Sequence, residues 1–253
     1  MAIRRSKKKR PQKSKYLLKE GIKIEEGVFD ERTMLRLGKM FTRKIVSKLD
    51  YGIATGKEAD VYVADPGPKI DSESIIIKIF RIETSSFGNR TKYIIGDPRF
   101  KKLKPGIYHM VNEWCKKEYG NLKIAEGAGV RAPRPYSFNG NVLAMEFIGS
   151  EGRASQKLKD VILENPSETL HLILDDIKKL YDARLVHGDV SEYNILMKDN
   201  LPYLIDFGQA VILKHPNANS FLERDLSNIL SFFSRKYNIE MDLNETLRAI
   251  TSG

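Results

Sequence analysis

The chain has 253 residues, 41% hydrophobic and 30% charged, the proportions of a soluble globular protein with room for one or two compact domains. No apolar run approaches the roughly 20 residues that span a bilayer, and the N-terminus lacks the apolar stretch of a signal peptide, so a cytoplasmic protein without membrane contact is expected. One cysteine, Cys115, excludes an internal disulfide and a cysteine zinc site and reads as a buried small hydrophobe.

The net charge of +10 is concentrated at the start. Residues 1–15 hold Arg4, Arg5, Lys7, Lys8, Lys9, Arg10, Lys13 and Lys15 and no acidic residue, while the remainder is nearly neutral. Such a block is too polar to pack, so it reads as a flexible tail. It is either idle and solvated or an RNA contact with salt-dependent, sequence-independent affinity.

Residues 16–50 read as a helical extension. Asp30 is a candidate N-cap, and Met34, Leu35, Leu37, Phe41, Ile45 and Leu49 recur at near-helical spacing. The period then changes. Short β-branched or aromatic runs at 51–53, 61–64 and 74–80, separated by Gly56-Lys57 and Asp65-Pro66-Gly67-Pro68, predict three antiparallel strands. Residues 84–110 carry little periodicity and read as a long mobile loop. A helix is expected over 111–128, strands near 135–137 and 142–147, a second amphipathic helix over 168–184, and closing helices over 221–233 and 243–250. The result is an α+β architecture with a β-rich first lobe, 51–148, and a helical second lobe, 149–253, hinged near 147–149.

The chemistry concentrates between Val186 and Gly208. Asp189 and Asn194 stand as H-x-D-x-x-x-x-N, and Ile205-Asp206-Phe207-Gly208 follows one short hairpin later, the layout of a magnesium phosphotransfer site. Asp189 is the candidate base, and Asn194 and Asp206 are hard oxygen ligands for a cation bridging phosphates. His187 reads as a backbone brace rather than a proton carrier, and Asp225 as an acceptor for the catalytic-loop backbone.

Lys78 lies in Ile75-Ile76-Ile77-Lys78-Ile79-Phe80, where an unpaired ammonium is costly to desolvate. Paired with a helix glutamate, Glu118 or alternatively Glu113, it would hold the α and β phosphates of ATP. The loop Thr55-Gly56-Lys57 can let its backbone approach a phosphate, although it is not a P-loop, and by itself it looks like an ordinary hairpin turn. Met145, Glu146 and Ile148 end the first lobe, where the Glu146 carbonyl and the Ile148 amide could read an adenine edge.

Three stretches make the chain resemble the RIO atypical protein kinases, and within them the Rio1 branch: Thr55-Gly56-Lys57-Glu58-Ala59, the run from Lys78 to Ser85, and the run from Leu185 to Asn194. His215-Pro216 and the run from Phe221 to Asp225 add to it. The resemblance implies a two-lobed kinase fold, ATP with magnesium (manganese being possible), serine autophosphorylation, and a role with the precursor small ribosomal subunit and its rRNA. In some members an ATPase cycle through a phosphorylated aspartate is thought to operate, which here maps onto Asp206. Little chain follows Gly208 and no Ala-Pro-Glu element occurs, so the peptide-docking platform of ordinary protein kinases is expected to be missing. A monomer is expected, with Ser85 or Ser86 open to modification. Two other readings stand beside this one. His-Gly-Asp followed by Asn also resembles aminoglycoside phosphotransferases, and the protein could be an RNA- or ribosome-binding module whose nucleotide only sets its shape.

Overall fold

The computed structural model describes residues 29–82, 91–100 and 106–252. The basic run at 1–15, residues 16–28, and Ser85 and Ser86 lie outside the described residues, as do residues 84–90 and 101–105 of the loop expected at 84–110, whose last four residues are helical instead.

Helix α1, Glu31–Thr42, starts where the Asp30 carboxylate accepts the backbone amides of Arg32 and Thr33 at 2.9 and 3.1 Å. Its helical spacing does not continue to Ile45 and Leu49. Lys44 turns to φ +58, and Val46 opens strand β1, Val46–Thr55. The apolar period runs on because Leu37 and Phe41 from the helix and Val46 and Leu49 from the strand enter one shared core. Periodicity alone cannot separate one helix from two elements packed on each other.

Strands β2 (Ala59–Pro66), β3 (Ile75–Phe80), β4 (Pro135–Asn139) and β5 (Val142–Glu146) complete an antiparallel five-stranded sheet ordered β1-β2-β3-β5-β4. β3 is internal, with Lys78 opposite Val61 on one side and Leu143 on the other, and this explains its nearly continuous apolar run. Ile75, Ile77 and Ile79 face the core made with α1, whereas Ile76 and Phe80 belong to the clusters on the other side. Buried Asn141 ties α1 to the sheet, donating to Thr33 Oγ1 and the Phe80 carbonyl at 2.9 and 2.8 Å and accepting from Arg36 at 2.7 Å.

Between β3 and the next helix, residues 91–100 form two short 3-10 turns, with Tyr93 and Ile94 buried in the main core. Helix α2, Ile107–Gly127, buries Val111, Trp114, Cys115, Glu118 and Leu122 in one stripe that serves both lobes. Across the hinge come the hairpin β6 (Gly149–Ser150) and β7 (Arg153–Ala154), then β8 (Gln156–Lys157) and α3 (Pro166–Asp182). Strands β9 (Leu185–Val186), β10 (Ile195–Lys198), β11 (Leu201–Leu204) and β12 (Val211–Ile212) form two small sheets, ordered β11-β10-β8 and β12-β9. Asp199 and Asn200, at φ +52 and +61, make the tight turn between β10 and β11. After Gly208, α4 (Ala218–Tyr237) and α5 (Leu243–Thr251) are the helices among the described residues, packed on the base of the second lobe. The fold is α+β and two-lobed, and no helix among the described residues is long and apolar enough to cross a membrane.

Candidate active site

A cleft of about 510 Å³ separates the lobes, within the roughly 300–1,000 Å³ range of small-molecule sites. Thr55, Gly56, Lys57, Lys78, Met145, Glu146, Ile148, Asn194 and Asp206 line it, with Val61, Ile76, Leu196 and Ile205 supplying apolar walls suited to a flat heterocycle. Glu118 and Asp189 stand one contact behind this wall, through Lys78 and Asn194.

The Lys78 ammonium donates to Glu118 Oε1 and Oε2 at 2.7 and 3.0 Å and to Asp206 Oδ1 at 3.1 Å. Burial alone would lower its pKa, but the Asp206 and Glu118 carboxylates raise it above the ordinary value, so it stays charged. The other glutamate considered, Glu113, is part-buried on α2 and meets Lys116 at 3.8 Å instead. The Gly56 amide donates to the carbonyl of Ala59, three residues on, at 3.0 Å, closing the turn between β1 and β2 over the cleft.

The catalytic loop is braced from behind. His187 is buried, donates from Nε2 to the Ile205 carbonyl at 3.1 Å, and packs edge-on against Phe207. Burial pushes its pKa down to about 4, so the ring is neutral near pH 7 and links the loop to the Asp206 segment. Asp225, on α4, accepts the Gly188 and Val190 amides at 2.6 and 3.0 Å. Gly188 takes φ +77, a conformation that favours glycine, and a Cβ there would lie 3.2 Å from the Gln209 carbonyl oxygen.

Asp189 Oδ2 accepts from Asn194 Nδ2 at 2.9 Å and from Gln209 Nε2 at 3.1 Å, so both side-chain bonds fall on one of its two oxygens. Burial, and then the Asp206 charge, raise its pKa to about 6 against the pull of Arg224 and Asn194. A carboxylate so placed is largely ionised at neutral pH yet a stronger base than a solvated one.

Sequence reasoning missed the underside of the Asp206 segment. Lys117, buried on α2, donates to the Gly208 carbonyl at 2.8 Å and also to that of Ala210, while Asn121 Nδ2 donates to the Phe207 and Ala210 carbonyls at 2.8 and 2.9 Å. Gln209 and Arg224 were missed as well. Lys117 and Asn121 are one helical turn apart and flank Glu118, so a shared face was readable, but backbone carbonyls leave no mark in a sequence.

Residues 60–246 match the family model of the RIO domain. The chain belongs to the RIO domain family. The RIO-type serine/threonine-protein kinase Rio1 of Haloferax volcanii is 39% identical over 214 residues, covering 85% of this chain and 73% of that protein. The protein of the same name from Methanocaldococcus jannaschii is 37% identical over 233 residues, covering 92% and 78%. Similarity of this extent places the chain with the Rio1 branch of RIO serine/threonine kinases. The Rio2 kinase of Chaetomium thermophilum, determined as an ADP/Mg2+-phosphoaspartate complex, shares the fold with TM-score 0.67 at 21% identity over 94% of this chain and 75% of that one.

In this RIO domain the oxygen donors fit a divalent cation held together with phosphates. Asn194 spends its amide nitrogen on the Asp189 carbonyl and carboxylate, both at 2.9 Å, which turns the amide oxygen the other way. The Asp206 side chain is 46% exposed on the cleft wall. Two hard oxygens suit magnesium, which takes its remaining ligands from phosphates and water. Among the described residues no cluster of His, Cys, Asp and Glu offers a complete protein cage. When bound, the ion would neutralise phosphate charge at the polar end of the cleft.

Proposed function

We propose that the protein binds ATP with magnesium, or with manganese in its place, and transfers the γ-phosphoryl group to a serine or threonine hydroxyl, its own included. The supporting observation is convergence: Lys78 held by Glu118, Asp206 beside it, and Asp189 tied to Asn194 all surround one cleft. Lys78 would hold the α and β phosphates, Gly56 with its neighbours would cover them, and the Glu146 and Ile148 backbone would meet the base. The acceptor oxygen forms its bond to the γ-phosphorus as the bond to ADP breaks, and Asp189 takes the hydroxyl proton. Asn194 and Gln209 keep that carboxylate in place.

A second reading keeps the nucleotide site and changes the acceptor. The Asp206 carboxylate lies on the cleft wall and half-exposed, open to direct attack on the γ-phosphorus; water would then hydrolyse the acyl phosphate to aspartate and inorganic phosphate, an ATPase cycle. In either case the setting we propose is cytoplasmic maturation of the small ribosomal subunit. The family relationship supports it, as does the basic run at 1–15, which would contact precursor rRNA. A small-molecule acceptor of the aminoglycoside kind fits that basic run less well.

Incubating the chain with γ-labelled ATP and magnesium, with and without precursor small subunits, separates these readings. Label on serine supports protein phosphotransfer and label on Asp206 supports the ATPase cycle; turnover that survives Asp189→Ala at the wild-type rate rejects transfer to a hydroxyl, and turnover that survives Asp206→Ala at that rate rejects both.

A further inference from the structure

Asn121 is fully buried, and its amide works in one orientation only. The two hydrogens of Nδ2 reach the Phe207 and Ala210 carbonyls at 2.8 and 2.9 Å; rotated by half a turn, the amide would press its oxygen against two carbonyl oxygens. The other end of the amide decides between these states. Arg99 Nη1 donates to Asn121 Oδ1 at 2.8 Å, and a guanidinium has no acceptor to offer the NH2 group. Arg99 is itself clamped by the buried Asp97 carboxylate, through Nη2 at 2.7 Å and through Nε and the backbone amide, each at 3.0 Å.

The carbonyls held this way lie one and four residues after Asp206, and Asp206 sits at φ +67, a left-handed conformation unfavourable for a residue with a Cβ. Something must hold the backbone there. Lys117 contributes from the same helix, but Arg99 reaches in from the segment between β3 and α2, outside the cleft wall.

We infer that Arg99 is a positioning residue for phosphoryl transfer: by fixing the Asn121 amide it holds the Phe207–Ala210 backbone and keeps Asp206 aimed into the cleft. The segment carrying Arg99 thereby sets the affinity of the metal site without touching nucleotide. This rests on the reading of Asp206 as a magnesium ligand.

The test is calorimetric binding of ADP to the full chain in magnesium and in EDTA. Arg99→Ala is expected to cut the magnesium-dependent gain in affinity about tenfold, the equivalent of one charge-assisted hydrogen bond, and to leave metal-free affinity unchanged. Asn121→Leu should cost at least as much, and the double variant no more than Asn121→Leu alone, because Arg99 acts through that amide. Since Arg99→Ala strands a buried carboxylate, Arg99→Ala with Asp97→Asn is measured too. The same loss is expected, and full recovery would trace the effect to Asp97 and overturn the inference. An undiminished magnesium gain in Arg99→Ala, or additive losses in the double variant, also overturns it. Absence of any magnesium gain in the wild-type protein overturns the metal-site reading itself, and this inference with it.

Discussion

Asn194 and Asp189 are joined twice, the one Asn194 amide nitrogen donating to both the carboxylate Oδ2 and the backbone carbonyl of Asp189 at 2.9 Å. On the reading proposed above, one side chain would do two jobs, orienting the base with its nitrogen and presenting an oxygen to the cation. Asn194→Ala should lower kcat by about 10²–10³ and raise the magnesium needed for half-maximal rate. Asn194→Asp keeps an oxygen for the metal but faces Asp189 with a like charge. It should restore much of the magnesium response and little of kcat. Magnesium titrations of both variants check this, and parallel recovery of the two parameters would contradict the division of labour.

Lys78 and Glu118 form a pair with side-chain exposures of 12% and 1%. Lys78→Met should destabilise the fold by about 3–5 kcal/mol, because it leaves the Glu118 charge buried with its main partner gone. Adding Glu118→Gln removes that charge and should recover most of the stability, yet neither variant should turn over ATP. Denaturant unfolding beside ATP turnover checks both halves. If the double variant is no more stable than Lys78→Met, the loss comes from packing instead.

The Asp225 carboxyl is pushed up to about 7 by burial, with the Asp189 charge acting the same way and the Gly188 and Val190 amides and Arg224 opposing. Its folded pKa thus lies above the unfolded value of about 3.9, so the native chain binds the extra proton between those limits. The stability this group contributes is fully present below about pH 4 and is lost as pH rises through 7. Asp225→Asn cannot titrate. Relative to wild type, its unfolding free energy should improve by about 3 kcal/mol between pH 5 and pH 8, on top of a pH-independent cost for one lost acceptor. Asp176, raised to about 6 by burial, is common to both proteins and cancels. A constant offset across that range would mean that Asp225 is already ionised at pH 5.

Where the sequence was informative, the reason is physical. Lys78 announced itself because an ammonium within an apolar run demands a counter-charge, and Asp189, Asn194 and Asp206 because their chemistry depends on close spacing along the chain. Asn121 and Lys117 stayed hidden because the carbonyls they hold are distant in sequence, Asn121 and Phe207 being 86 positions apart, and Arg99 because its link to them runs through the Asn121 side chain and not through its neighbour Asp97. Polar residues on a helix ordinarily signal a solvated face, and here they mark a buried one. The misplaced end of α1 has a related cause, since Leu37, Phe41, Val46 and Leu49 all point at one core from two elements.

Gly208 is a close-packed junction between α2 and the Asp206 segment. A Cβ built there would lie 2.8 Å from Trp114 Nε1 and 3.2 Å from Glu118 Oε2, while the Gly208 carbonyl is already held by Lys117 at 2.8 Å. The added methyl cannot enter unless α2 recedes, and α2 carries Glu118 away from Lys78 as it does. Gly208→Ala should therefore cost about 1–3 kcal/mol of stability through overpacking and raise the KM for ATP about tenfold by loosening the ion pair. Trp114→Phe removes the indole nitrogen that the methyl would strike. Combining the two substitutions should bring KM back toward the wild-type value while the Glu118 contact keeps some residual strain. Steady-state kinetics on the single and double variants decide the matter, since a KM that stays high in the double variant would place the damage on the Asp206 side of the junction and not on α2.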